Sequence, residues 1–291
     1  MAAGLAARIE AVALAPGLYL VATPIGAARD ITLRALDVLN SADVLAAEDT
    51  RTLRHLLEIH GIPLRGRRIV AYHDHNADRA RPALINALRE GASIAYTSDA
   101  GTPLVADPGF KLSRDAAAAG LRLHPVPGPS AALAALTIAG LPSDRFLFAG
   151  FPPAASGARD TWLRQWAAVD ATLILYESPR RVKDTLGKLC EIEANRPIVI
   201  CRELTKKFEE VIRGTAAELA DSIPDEGLRG EIVLVLDRPA PLVADDDRIR
   251  SELRQALLSA SVKDAAREVA QRLGLPRRDV YQLALQMAAG E

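Results

Sequence analysis

The chain has 291 residues, a formal net charge of −1, and 49% hydrophobic against 25% charged residues. That length exceeds one ordinary domain and that composition excludes a disordered chain, while near-neutrality excludes a global basic field, so a nucleic-acid partner must be met by local patches. Two cysteines, Cys190 and Cys201, have no closely spaced partner, which excludes a disulfide scaffold and a cysteine zinc site and points to reduced, cytoplasmic thiols.

Residues 1–16 are Ala-rich but interrupted by Arg8 and Glu10, so they suit neither export nor a membrane anchor and read as a frayed extension. Gly17 to Ala22 reads as a buried strand, with Asp30 the N-cap of a helix carrying Leu33, Leu36 and Leu39. Strands follow at Val44 to Ala47, Ile69 to Tyr72, Ser93 to Thr97 and Leu121 to His124, alternating with helices that end near Gly61, Gly91 and Gly120. Pro125-Val-Pro-Gly-Pro-Ser130 is the clearest linker. Beyond it helices are expected at Ala131 to Ala139, Asp160 to Ala168, Arg181 to Cys190 and Ala216 to Ser222. Strands are expected at Phe146 to Ala149, Thr172 to Tyr176, Ile198 to Arg202, Glu209 to Ile212 and Glu231 to Leu236. The alternation predicts an α/β class with two lobes, 17–125 and 126–238, each built on a mostly parallel sheet covered on both faces. Asp245-Asp246-Asp247 marks the start of a helical tail, 239–291. There Ser261 caps one helix, Gly274 ends it and Pro276 opens another, compatible with a helix-turn-helix or with a plain helical hairpin.

In open α/β sheets ligands bind beyond the carboxyl ends of the strands. Those ends present Thr23-Pro24-Ile25-Gly26, Glu48-Asp49-Thr50-Arg51, His73-Asp74-His75-Asn76 and Ser98-Asp99-Ala100-Gly101-Thr102-Pro103, and then Glu177-Ser-Pro-Arg180-Arg181. Neither a Gly-x-x-x-x-Gly-Lys-Ser/Thr loop nor a Gly-x-Gly-x-x-Gly fingerprint is present, which disfavours a nucleoside triphosphate or dinucleotide and favours a ligand without phosphates. The carboxylates of 48–51 serve either a helix start or the site, and Asp99 and Thr102 either a turn or the site. His73 and His75 lack a third ligand at metal spacing, so no metal is expected. Of the basic clusters Arg65-Arg67-Arg68, Arg180-Arg181 and Lys206-Lys207, the strand-end pair Arg180-Arg181 has the best claim to phosphate.

Together these segments resemble the ribosomal RNA small subunit methyltransferase I family within the tetrapyrrole methylase-like superfamily. The resemblance runs through Tyr19-Leu-Val-Ala-Thr-Pro-Ile-Gly26, Ala47-Glu-Asp-Thr-Arg51, His73-Asp-His-Asn76, Ser98-Asp-Ala-Gly-Thr-Pro103 and Asp107-Pro-Gly109. It continues through Pro127-Gly-Pro-Ser130, Gly140-Leu-Pro-Ser-Asp-Arg-Phe146, Tyr176-Glu-Ser-Pro179, Arg202-Glu-Leu-Thr-Lys206 and Gly230-Glu231. It implies transfer of a methyl group from S-adenosyl-L-methionine to the ribose 2′-oxygen of a decoding-centre cytidine in 16S rRNA, free or in the small ribosomal subunit, by a homodimer. It further implies a cofactor lined by Pro24, Ser98, Asp99, Ala100, Gly101, Thr102, Ser130, Ala131, Glu177, Gly214 and Thr215. Porphyrin-type relatives carry Gly-Asp-Pro where this chain has Gly101-Thr102-Pro103. Asp49 and His73 are the candidates for a general base, Arg180 for holding the flanking phosphate, and Arg51, Arg181, Lys206 and Lys207 for further RNA contact. With 4% aromatic residues, stacking platforms look scarce and recognition is expected to rest on RNA shape and phosphates. A tetrapyrrole C-methyltransferase and a non-catalytic RNA-binding assembly module are the alternatives.

Overall fold

A computed structural model describes residues 9–105, 109–240, 246–273, 275 and 277–288. The Asp107-Pro108 part of one motif, the Gly274 and Pro276 helix signals, the Asp245 boundary mark and residues 1–8 lie outside them.

The first sheet is built from β1 (Gly17–Val21), β2 (Val44–Ala47), β3 (Ile69–Ala71), β4 (Ser93–Thr97) and β5 (Leu123–Val126), in the order β3-β2-β4-β1-β5. All its neighbours pair in parallel. Helices α1 (Leu33–Ser41), α2 (Thr50–Ile59), α3 (Ala77–Arg89) and α4 (Phe110–Ala118) make the crossovers. Alternate strand residues feed opposite cores: Tyr19, Leu45 and Ala95 pack with α1 and α2, while Leu18, Ala46 and Ile94 pack with α3 and α4. A sheet buried on both faces needs apolar residues at every position, which is why these strands read as unbroken apolar runs.

After α5 (Ala131–Ala139) the second sheet takes β6 (Phe146–Gly150), β7 (Thr172–Glu177), β8 (Pro197–Arg202), β9 (Glu210–Thr215) and β10 (Ile232–Leu236), in the order β6-β7-β10-β8-β9. Helices α6 (Ser156–Ala167), α7 (Val182–Ile192) and α8 (Ala216–Ser222) accompany it. The expectation of a mostly parallel sheet holds for the first lobe and not here. Only β6–β7 is parallel; β7–β10, β10–β8 and β8–β9 are antiparallel. The reason is local: β8 and β9 form a hairpin with no helix between them, and period-2 strands buried on both sides look the same in either direction.

Two smaller expectations also change. Thr32, not Asp30, caps α1, its hydroxyl accepting from Ala35 N. Residues 9–16 are docked rather than frayed: Glu10 N donates to Asp37, Val12 N to Ser41 and Asn40 to the Glu10 carbonyl, while Ile9 and Leu14 cover the first core.

The lobes meet at the loop after β1. Ile25 is buried among Ala132, Leu136 and Leu204 in the core of the second lobe, and Ala27 N donates to Thr205 Oγ1 across 3.1 Å. Gly26 lies against this seam, where an added Cβ would stand 2.6 Å from Thr205 Oγ1 and 2.8 Å from the Leu204 carbonyl. Residues 238–291 form a separate compact unit. Its described helices are α9 (Asp246–Leu257), α10 (Val262–Leu273) and α11 (Arg277–Ala288), closing on a core of Leu253, Ala266, Val269 and Ala284. Helix α9 was not foreseen, because its acidic start reads as a linker.

Gly26→Ala should destabilise the protein by about 1–3 kcal/mol, the usual cost of forcing extra volume into a closed contact. Denaturant unfolding measures it; an unchanged midpoint would show that the seam is looser than described.

Candidate functional site

The strand-end loops of both lobes enclose a cavity of about 370 Å³, within the range of small-molecule sites. One wall is the loop after β4. Gly101 exchanges two backbone hydrogen bonds with Thr23, at 2.9 and 3.0 Å, in a left-handed conformation (φ +78°). The Thr102 hydroxyl donates to the Pro129 carbonyl at 2.9 Å, tying the loop to the proline-rich linker. Ser98, Asp99, Ala100, Gly101 and Thr102 all line the cavity, as do Ser130 and Ala131 where α5 begins.

Glu177, at the end of β7, forms the opposite wall with a fully buried side chain. Its Oε1 accepts from Ser178 N (2.6 Å) and from Arg181 (2.9 Å), and its Oε2 from the Thr185 hydroxyl (2.5 Å). A buried carboxylate survives when every lone pair facing the interior is used, and this one is held by a cation and two further donors. Arg181 also reaches the Pro152 carbonyl at 3.4 Å. Its guanidinium is therefore engaged within the wall, which weighs against the role in RNA contact expected of it.

Glu48, Asp99, Glu177 and Glu231 line the cavity, and no Lys, Arg or His does so among the described residues. The rest of the lining is largely apolar, including Ile25, Val105, Phe151, Tyr176, Leu204 and Val233. Such a wall favours a cation and opposes phosphate. Cys201 also lines the cavity, but burial pushes its thiol up to about 11, so it stays protonated. Beside the cavity, sharing Ser98 and Asp99, lies a hollow of about 150 Å³ with Pro24, Thr23 and Thr97 on its wall. The Thr23 and Thr97 hydroxyls are buried without a hydrogen-bond partner.

Other expected site residues sit elsewhere. Gly214 pairs with Ile198 in the β8–β9 hairpin, and Thr215 caps α8 in a reciprocal capping box with Glu218. Neither is among the lining residues. His73 follows edge strand β3, takes Asn76 Oδ1 on its backbone N–H, and does not line the cavity. Asp49 caps α2 and grips Arg51, with Arg51 Nη2 to Asp49 Oδ2 at 2.6 Å. The Arg51 side-chain and backbone donors hold its carboxyl down at about 2, which makes it a weak proton acceptor. Lys206 bonds Glu203 and Glu231, each at 3.0 Å; burial opposes its charge, but the two carboxylates raise its pKa above the ordinary value. Arg67 donates to the carbonyls of Leu39 and Ala42 at the end of α1, a structural use that removes it from the basic cluster. Arg180 and Lys207 are exposed, and Arg51 has a side chain 89% exposed.

Sequence reading missed Phe151, left Glu48 open between a helix start and the site, and did not assign a site role to Tyr176, Cys201 or Glu231. Glu48, Tyr176 and Cys201 stand at the carboxyl ends of β2, β7 and β8 and were within reach of the strand-end rule; Glu231 precedes the amino end of β10, which reaches the site only because that strand runs antiparallel, and Phe151 lies in an apolar run that carries no polar signal.

This fold is that of a methylase class. The family model described as Tetrapyrrole (Corrin/Porphyrin) Methylases matches residues 17–220, and that of the RsmI C-terminal HTH domain matches residues 243–288. A solved uroporphyrin-III-C-methyltransferase from Thermus thermophilus superposes with a TM-score of 0.55 at 24% identity, over 77% of this chain and 94% of that one, a likeness of fold. The chain is 49% identical over 286 residues to the ribosomal RNA small subunit methyltransferase I of Mesorhizobium japonicum, spanning 96% of this chain and 95% of that protein. With the protein of that name from Escherichia coli O157:H7 it shares 42% over 92% of this chain and 94% of the relative. The chain belongs to the ribosomal RNA small subunit methyltransferase I family. It is accordingly a methyltransferase, with S-adenosylmethionine as methyl donor.

Asp49→Asn should keep the α2 cap, since Asn caps as well as Asp, and should retain turnover with an unshifted pH–rate profile. Asp49 has a folded pKa below its ordinary 3.8, so its contribution to stability is present above 3.8 and lost as pH falls towards about 2. The stability difference between wild type and variant, followed by unfolding, should be flat from pH 8 to 5 and change only below about 4. Lost turnover with an intact fold would restore Asp49 as the base.

Proposed function

We propose that this protein methylates the ribose 2′-oxygen of a decoding-centre cytidine in 16S rRNA, presented as the small ribosomal subunit or as free RNA, in the bacterial cytoplasm and as a homodimer. The observation that carries the reading is the acid-lined cavity closed by the 98–102 loop and Glu177, in a chain whose relatives over almost its whole length are named for that ribosomal RNA.

The residues fit S-adenosylmethionine. Its sulfonium and ammonium charges suit the carboxylates of Glu48 and Asp99, its adenine suits the apolar lining at Ile25, Leu204 and Val233, and the first turn of α5 at Ser130 and Ala131 offers backbone N–H groups to its carboxylate. When bound, it supplies a methyl carbon already activated for in-line displacement. The task left to the protein is alignment of the ribose oxygen and exclusion of water, for which well-oriented reactions gain up to about 7–11 kcal/mol. Thr23–Gly101 and Glu177–Arg181 each hold one wall in shape, and Thr102–Pro129 ties the 98–102 wall to the start of α5, which favours that alignment. With the Asp49 carboxyl held at about 2 and His73 outside the lining, rate rests on alignment rather than on either as a base.

The negative cavity cannot hold the RNA backbone, so phosphates are met at its rim. Glu48, Pro179 and Leu204 line the cavity, and each is followed within three residues by an exposed cation, Arg51, Arg180 and Lys207 respectively.

Mapping ribose methylation on small subunits from cells lacking this protein, before and after incubation with it and the donor, tests the reading. One cytidine of the decoding centre should gain a 2′-O-methyl group; transfer to a precorrin in its place, or binding without transfer, would contradict it. Arg180→Ala and Lys207→Ala should each weaken subunit binding at all salt concentrations and flatten the log–log salt slope by about one. Unchanged slopes would remove these two residues from the interface.

A further inference from the structure

Phe151 is an aromatic group at the cavity to which no role has yet been given. It lines the cavity yet remains 53% exposed. The chain spends several devices on placing it. The register of β6 against β7 shifts between Phe148 and Gly150, and Gly150 takes a left-handed conformation (φ +79°). Irregularities of this kind next to active sites re-aim a side chain. Pro152 and Pro153 follow at once and stiffen the chain. The Pro152 carbonyl accepts from Arg181, whose other terminal nitrogen binds Glu177, so the segment bearing the ring is fastened to the cavity wall. Finally, Tyr176 braces the ring edge-on, with centroids 5.4 Å apart, and Tyr176 is itself braced by Phe148 at 4.7 Å. A ring positioned from behind and open in front is a stacking surface.

We infer that Phe151 is the platform on which the acceptor nucleobase of the RNA stacks once that nucleotide is extruded into the cleft. The inference rests on the proposed function and specifies how that site recognises its substrate. Single-stranded or splayed nucleotides are held by aromatic faces, which work in an electrically hostile cavity because stacking needs no cation. Carboxylates along the walls repel the phosphates, so a neutral base is the part of an RNA that can enter, and the backbone stays at the rim. The alternative occupant is the adenine of the cofactor, and the experiment separates the two.

Phe151→Ala and Phe151→Trp are compared with wild type by calorimetric titration with S-adenosylhomocysteine and by steady-state methylation of small subunits at several salt concentrations. The expected result has three parts. The alanine variant keeps its affinity for S-adenosylhomocysteine within about twofold. Its kcat/KM for subunits falls by roughly 10- to 100-fold, the scale of one lost base stack, with an unchanged salt slope. The tryptophan variant recovers most of the loss. Normal kcat/KM in the alanine variant would overturn the inference, as would a parallel loss of S-adenosylhomocysteine affinity, which assigns the ring to the cofactor. Failure of tryptophan to recover activity would reduce the ring to a structural role. If wild type itself methylates no rRNA, the functional reading fails before any variant is made, and the two failures are distinguishable.

Discussion

The pinning of the loop after β4 is the constraint on which the remaining geometry depends. Gly101 is held to Thr23 by a pair of backbone hydrogen bonds, and Thr102 is held to the Pro129 carbonyl at the start of the second lobe. Three segments far apart in sequence are thereby locked around one space. Fixed in this way, residues 98–102 form one wall of the cavity. The contact of Ile25 and Gly26 with the β8–β9 turn joins the two lobes at a second point.

Charge is partly divided in space: Glu177 and Glu231 are paired with Arg181 and Lys206 from behind the cavity wall. The chain as a whole is close to neutral, but the described lining of the cavity holds carboxylates without cations, and the exposed cations Arg51, Arg180 and Lys207 stand just outside. Several basic residues that look equivalent in the sequence do quite different work. Arg181 secures a buried carboxylate, Lys206 bridges Glu203 and Glu231, and Arg67 satisfies the carbonyls at the end of α1. A cation enclosed among carboxylates or carbonyls has little charge left to offer a phosphate.

Much of the architecture was legible in the sequence for definite reasons. Val44–Ala47, Ser93–Thr97, Ala131–Ala139 and Ala216–Ser222 appear with the limits their patterns indicate, because apolar runs and turn residues bound them sharply. The mixed second sheet was not legible, since strand direction leaves no mark on a strand buried on both sides. At the site, the segment Ser98 to Thr102 and Glu177 stood out through loop length and position at strand ends. Gly214 and Thr215 came only from family likeness, and here they serve the hairpin and the α8 cap. Asp49 illustrates the limit of residue-type reasoning: a carboxylate at a strand end suggests a base, and only the geometry shows it spent on a cap and an ion pair.

A crystal of the protein grown with S-adenosylhomocysteine would test the central claim directly. The compound should lie between the 98–102 loop and Glu177, with its ammonium facing the carboxylates and its carboxylate at the first turn of α5. Occupancy of a different surface, or a cleft closed against it at saturating concentration, would contradict the account.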